Sequence, residues 1–196
     1  MSRFVDQQLS AFLDALASAE PTPGGGTAAA IAGAMGASLL MMVAGLAKSR
    51  TGSEQERVAL AEARAALTSV RDRLIALADT DTDAFNQVMA AYRLPKATDQ
   101  EKGARKDAIQ QALKAATTTP LDILRAASDA LRLGRVVKEH GNPAAASDVD
   151  VGLGLLRAAA DGAAANVNIN LESIQDEAFR KTAIESVEQC RALFTE

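Results

Sequence analysis

The chain has 196 residues, 48% hydrophobic and only 3% aromatic with no Trp, so its interior has to be filled by Ala, Leu, Val and Ile. Its 25 acidic and 21 basic residues are interspersed for a formal net charge of -4, which leaves no basic arm or patch suited to nucleic acid. Cys190 is the only cysteine, which excludes an internal disulfide framework and fits a reducing, cytoplasmic setting.

The N-terminal stretch "MSRFVDQQLSAFLDALASAE" places Phe4, Val5, Leu9, Phe12, Leu13 and Leu16 at three-and-four spacing. That predicts a helix with one apolar face, ending before Pro21, and it lacks the continuous apolar core of a signal peptide. The next segment, "PTPGGGTAAAIAGAMGASLLMMVAGLAK", carries no charge between Glu20 and Lys48. Thr27 to Ala47 is long enough to cross a bilayer. Its glycines, its lack of an aromatic belt and the many amphipathic helices around it point instead to a central helix buried on every side, with no membrane partner. Small residues at Ala29, Gly33, Gly36 and Ala37 admit close neighbours. The glycine-rich entrance allows two readings. It is a tight turn that lets helices pack closely, or it presents free amides at a helix N-terminus to a carboxylate, phosphate or polar ring edge. It is not a P-loop, because the Gly-Lys-Ser/Thr ending is absent.

Ser53 and Glu56 form a capping signature for a third helix, whose stripe is Val70, Leu74, Leu77, Asp81, Ala84 and Val88. Asp81 therefore points where a leucine is expected. A buried carboxylate is costly unless paired or protonated, so Asp81 belongs to an interhelical polar contact or to a reactive site. Asp79 and Asp83 lie on the other side, facing solvent or a partner. Pro95 ends this helix, and Thr98 with Glu101 opens a fourth that runs through Ala116 before Pro120 bends or interrupts the chain. Helical spacing then continues to the breaker cluster Gly141, Asn142 and Pro143.

Ser147 or Asp148 is positioned to cap a long Ala/Gly-rich helix running to Asn170. Asp148, Asn166 and Asn170 share one face of it, with Gly152, Leu155, Ala159 and Gly162 between them, a pattern suited to a narrow cleft with polar ends. Asp176 onward reads as a last amphipathic helix with Phe179, Ala183, Val187, Cys190 and Phe194 on one side. No period-two pattern appears. The expectation is an all-α, up-and-down helical bundle with a buried Gly/Ala-rich central helix, residues 1–196 forming one domain. His140, the only histidine, stands beside a loop, and no Glu-x-x-His pair announces a di-metal site, so no metal is expected.

Four segments together resemble the formiminotransferase-cyclodeaminase C-terminal family, which includes stand-alone methenyltetrahydrofolate cyclohydrolases: "FLDALASAEPTPGGGTAAAIAGAMGASLLMMVA", "DTDAFNQVMAAYRLPKATDQEK", "ATTTPLDILRAA" and "GNPAAASDVDVGLGLLRAAADGAAANVNINLESIQDEAF". The resemblance spans nearly the whole chain. It implies an all-helical homodimer or higher homo-oligomer that acts on a tetrahydrofolate derivative as substrate, with no other cofactor. The implied activity is a methenyltetrahydrofolate cyclohydrolase, alternatively a formiminotetrahydrofolate cyclodeaminase; a non-catalytic folate-binding or structural oligomer is the remaining class. On this resemblance Asp81 handles the proton and Asp148 stabilises a cationic carbon or orients water. Asn142, Ser147 and Asn166 hydrogen-bond the pterin, Thr22, Gly24, Gly25 and Gly26 shape its loop, and Lys48 or Lys96 meets the glutamate tail.

Overall fold

The structure is a computed structural model describing residues 3–46 and 52–193. Among these residues the chain forms six α-helices: α1 (Leu9–Leu16), α2 (Gly25–Gly45), α3 (Glu54–Tyr92), α4 (Asp99–His140), α5 (Ala146–Leu171) and α6 (Glu177–Ala192). Single turns of 3-10 helix at Phe4–Asp6 and Pro143–Ala145 precede α1 and α5. Helices α2 to α5 form an up-and-down bundle. In it α2 packs against α3 and α5, α4 closes the far side, and α6 covers α4 and α5. The antiparallel order follows from cross-helix pairs. Arg73 bonds Asp122 at 3.0 Å, Gln110 donates to the Ser173 carbonyl at 3.0 Å, and Asn166 lies beside Gly25 while Gly152 lies beside Gly36.

The expected capping boxes are present, Ser53 with Glu56 and Thr98 with Glu101 each exchanging both bonds. Each ties off free amides at the start of a long helix and fixes where it begins. With few aromatics available, the core is built of alanine and leucine at very short helix separations, and Leu40, Leu67, Leu74, Ile123, Leu124 and Leu156 are fully buried. Gly36 is where this matters most. A Cβ there would lie 2.6 Å from the Gly152 carbonyl oxygen and 2.9 Å from Leu156, so the α2–α5 crossing requires glycine.

Four expectations need correction. The first helix is split, and its apolar face is not covered: Phe12 is buried against Phe4, but Leu9 and Leu13 are 69% and 52% exposed. Pro120 does not interrupt α4, which is continuous across it. The proline removes the amide that would have bonded the Ala116 carbonyl, and Asn170 Nδ2 on α5 fills that place at 2.8 Å. Neither Ser147 nor Asp148 caps α5; Asn142 caps the preceding 3-10 turn by accepting from the Ala144 amide, and α5 continues directly from it. Finally, α2 is not buried on every side, since Met35 and Met42 are 54% and 44% exposed. Asp79, expected to face solvent or a partner, meets a partner: it accepts from the Phe4 amide at 2.9 Å and pins the N-terminal turn to α3.

Candidate active site

Where α2 begins, the chain approaches α3 more closely than any side chain would allow. A Cβ on Gly26 would lie 2.2 Å from Asp81 Oδ1, so only glycine leaves room for the carboxylate there. Gly24, the residue before the helix, has no side chain to cap the free amides of α2. Asp81 does this from the neighbouring helix instead, accepting from the Thr27 hydroxyl at 3.2 Å and from the Thr27 backbone amide. The same hydroxyl reaches the Ala78 carbonyl and Thr82, fixing the position of α2 against α3. A helix N-terminus and a carboxylate are complementary in charge.

The surroundings of Asp81 push the other way. Burial raises its pKa above the ordinary carboxylate range, opposed by the two bonds from Thr27, and among the described residues no cation pairs with it. A half-buried carboxylate held near a solvent cleft without a counter-ion is poised to take up a proton or to face a cationic ligand.

That cleft has a volume of about 320 Å³. Its floor is Thr22, Gly24, Gly25, Gly26 and Asp81, and its walls are the apolar side chains of Phe85, Val88, Leu113 and Ile169 with the amides of Asn166 and Asn170. The size and the mixture of apolar walls with a few convergent polar groups suit a planar heterocycle, which Phe85 can meet with its ring. Asn166 donates to the Gly162 carbonyl at 2.8 Å, and Asn170 to Ala116, so both amides are held by the helices and present fixed polar edges to the cleft.

The sequence-predicted residues thus fall into two groups. Thr22, Gly24, Gly25, Gly26, Asp81 and Asn166 line one cleft. Asn142, Ser147 and Asp148 sit at the opposite end of the bundle, because α5 runs antiparallel to α2 and 18 residues of helix separate Asp148 from Asn166, about 27 Å. Within one chain Asp148 is therefore not beside Asp81, and Asn142, Ser147 and Asp148 cannot share a pterin with Asn166. Asn142 lines a second hollow of about 260 Å³ with Val137, Lys138, Gly141 and Asp150. Lys96 is exposed in the turn between α3 and α4, beyond the Val88 wall of the cleft, and Lys48 lies outside the described residues. His140 is also at the far end, 3.9 Å from Glu56.

Sequence reasoning missed Phe85, Val88, Leu113 and Ile169 as cleft residues, whereas Asn170, read on one face of α5 with Asn166, lines the cleft beside it. A signal existed for Phe85, which is one turn from Asp81.

A model of the family described as formiminotransferase-cyclodeaminase matches residues 8–189. The chain belongs to the formiminotransferase-cyclodeaminase family. It is 39% identical over 183 residues to a methenyltetrahydrofolate cyclohydrolase of Methylorubrum extorquens, covering 93% of this chain and 88% of that one. It is 36% identical to the formimidoyltransferase-cyclodeaminase of Gallus gallus, covering 90% of this chain but 32% of that much longer one. The crystal structure of formiminotetrahydrofolate cyclodeaminase from Thermotoga maritima superposes with a TM-score of 0.85 at 34% identity, over 95% of this chain and 89% of that one. The glycine entrance, Asp81 and Asn166 all lie within the span the family model covers.

Proposed function

We propose that the Asp81 cleft binds a reduced folate bearing a one-carbon unit and catalyses its hydrolytic ring opening, 5,10-methenyltetrahydrofolate and water giving 10-formyltetrahydrofolate and a proton. The observation that carries this is a half-buried, uncompensated carboxylate, held by Thr27 beside the glycine entrance at the mouth of a cleft with apolar walls. A cationic methenyl carbon supplies the missing positive charge and drops the carboxyl back into its ionised form. In that form Asp81 takes a proton from water as the oxygen bonds to the methenyl carbon, neutralising the amidinium. The carbon–N5 bond of the tetrahedral intermediate then breaks. Asp81 returns its proton to N5, and the hydroxyl proton of the intermediate leaves as the formyl carbonyl forms.

Phe85 and Ile169 clamp the ring system from the sides, while Asn166, Asn170 and the Gly24–Gly26 backbone meet its polar edges. The Val88 and Leu113 wall runs toward the α3–α4 turn, where exposed Arg93 and Lys96 offer cations to the glutamate tail. A second reading, cyclisation of a 5-formimino group with loss of ammonia, draws on the Thermotoga maritima neighbour and passes through the same kind of tetrahedral carbon. The enzyme works as a homodimer in this proposal.

Loss of the near-ultraviolet band of 5,10-methenyltetrahydrofolate, measured above its spontaneous rate, tests the reaction. The wild-type chain is expected to accelerate it, and Asp81→Asn to lower that acceleration by about 10²–10⁴-fold while remaining folded. Full activity in Asp81→Asn would remove this residue from the mechanism, and inactivity of the wild type toward both substrates would overturn the proposal.

A further inference from the structure

Threonines beyond the first turn of these helices follow one habit, and Thr82 breaks it. Thr68, Thr80, Thr117, Thr118, Thr119 and Thr182 each turn the hydroxyl back on the carbonyl four residues earlier, at 2.8–3.3 Å. At Thr82 that carbonyl, of Ala78, is taken by the Thr27 hydroxyl reaching across from α2 at 3.2 Å, and Thr82 faces the same hydroxyl at 3.3 Å instead. Both threonines are buried, 0% exposed for Thr27 and 6% for Thr82, so neither hydroxyl has bulk water to turn to.

A hydroxyl has one proton to give. Three oxygens surround that of Thr27: the Ala78 carbonyl, Asp81 Oδ2 at 3.2 Å and the Thr82 hydroxyl. The carbonyl and an ionised carboxylate can only accept, whereas Thr82 can donate. Two settings therefore satisfy the group. With Asp81 ionised, Thr82 donates to Thr27 and Thr27 donates to Asp81, a chain in which each bond strengthens the next. With Asp81 protonated, the carboxyl donates to Thr27, whose own proton turns to the Ala78 carbonyl. Thr82 fills one lone pair of Thr27 throughout, which makes Thr27 a better donor to the carboxylate and a poorer acceptor for the carboxyl.

Resting on the folate reading above, we propose that Thr82 is a positioning residue for the reaction at Asp81: from outside the cleft it aims the Thr27 hydroxyl at the carboxylate and so keeps Asp81 ready to take a proton from water. The two settings differ by the rotation of one hydroxyl, so the carboxylate gains and loses its proton in each cycle without moving. No proton passes through the threonines. Among the described residues no charged group competes for this control. The entry loop has only the exposed Glu20, and α2 carries no charge from Gly25 to Gly45. On α3, Asp79 is turned to the Phe4 amide and Asp83 is exposed. From α4 the cleft receives Leu113 and Ala116, with Lys114 bonded to Asp176, and from α5 the neutral Asn166 and Asn170.

The test is the pH profile of kcat/KM for 5,10-methenyltetrahydrofolate, whose acid limb reports the free enzyme's essential base. Thr82→Val removes the donor at nearly constant volume and should move that limb up by about half a pH unit, while Thr27→Val should move it by about one unit. Thr82→Ser should restore the wild-type profile. Thr82→Ala, which demands no room, should shift it as valine does. Because Thr82 acts through Thr27, the Thr27→Val, Thr82→Val double variant should titrate as Thr27→Val alone. A Thr82→Val or Thr82→Ala limb at the wild-type position, or a Thr82 shift that persists undiminished without the Thr27 hydroxyl, overturns the proposal, since a mere pin between α2 and α3 changes stability and leaves the titration in place. The same series is read without turnover by carbon-13 NMR of carboxyl-labelled aspartate, with Asp81 identified as the signal that Asp81→Asn lacks. If the wild type turns over neither folate, the functional reading fails while this carboxyl titration still decides whether Thr82 governs Asp81.

Discussion

Two glycines of α2 make room for different things. Gly26 gives way to a carboxylate, so that Asp81 reaches the start of the helix and the cleft beyond it; Gly36 gives way to backbone, so that α5 can cross within contact of its carbonyl. At Gly26 the neighbour is the end of a side chain that can swing aside, whereas at Gly36 it is the main chain of a packed helix, which cannot. The same residue type in one helix therefore serves the site in one place and the packing in the other, and substitution should separate them.

The sharpest expected difference is in turnover. Gly26→Ala forces the Asp81 carboxylate out of its position and should lower the cyclohydrolase rate by about 10²-fold, with a smaller loss of stability than Gly36→Ala. Equal losses of activity in both variants would erase the distinction. Gly36→Ala should instead cost about 1–3 kcal/mol in urea unfolding, because α2 and α5 must separate, while Gly103→Ala, whose Cβ meets nothing within 4 Å, serves as the harmless control.

Next in size is Asn170→Ala, which strips the Ala116 carbonyl of the donor that replaces the missing Pro120 amide and should cost about 1 kcal/mol. Thermal unfolding of this variant beside an Asn170→Ala, Pro120→Ala double variant checks the cause. Restoring the amide should recover part of the loss.

The smallest effect concerns pH. Because burial raises the pKa of Asp81 in the folded chain, the folded state disfavours its charge. Stability from this group is complete below about pH 4 and falls as pH rises through the raised value. Asp81→Asn should therefore unfold at a slightly higher temperature than the wild type at pH 7, with the gap closing below about pH 4. A variant less stable at pH 7 would mean that the bonds to Thr27 outweigh desolvation.

Much of this was legible along the chain. The two capping boxes, the stripe holding Asp81 and the long charge-free helix are local patterns, and local spacing dictates which residues share a helical face. The resemblance named the family before any coordinate did. What escaped was the consequence of direction. Asp148 and Asn166 do share a face of α5, but a face five turns long does not make one site. Pro120 read as a break because the rule for proline concerns its own helix, and the compensating donor, Asn170, comes from another.

By itself the sequence determined helix positions, the apolar centre and the anomaly of a carboxylate on an apolar stripe, since each depends on side chains three or four residues apart. Only the tertiary structure decided that Asp81 caps α2 across helices, that Asn170 mends the proline gap, and that the two groups of polar residues stand at opposite ends of the bundle. Those outcomes rest on the antiparallel register of α2 with α5 and on approaches of a few ångströms between segments distant in the chain. Periodicity along a helix carries no record of which neighbour it meets.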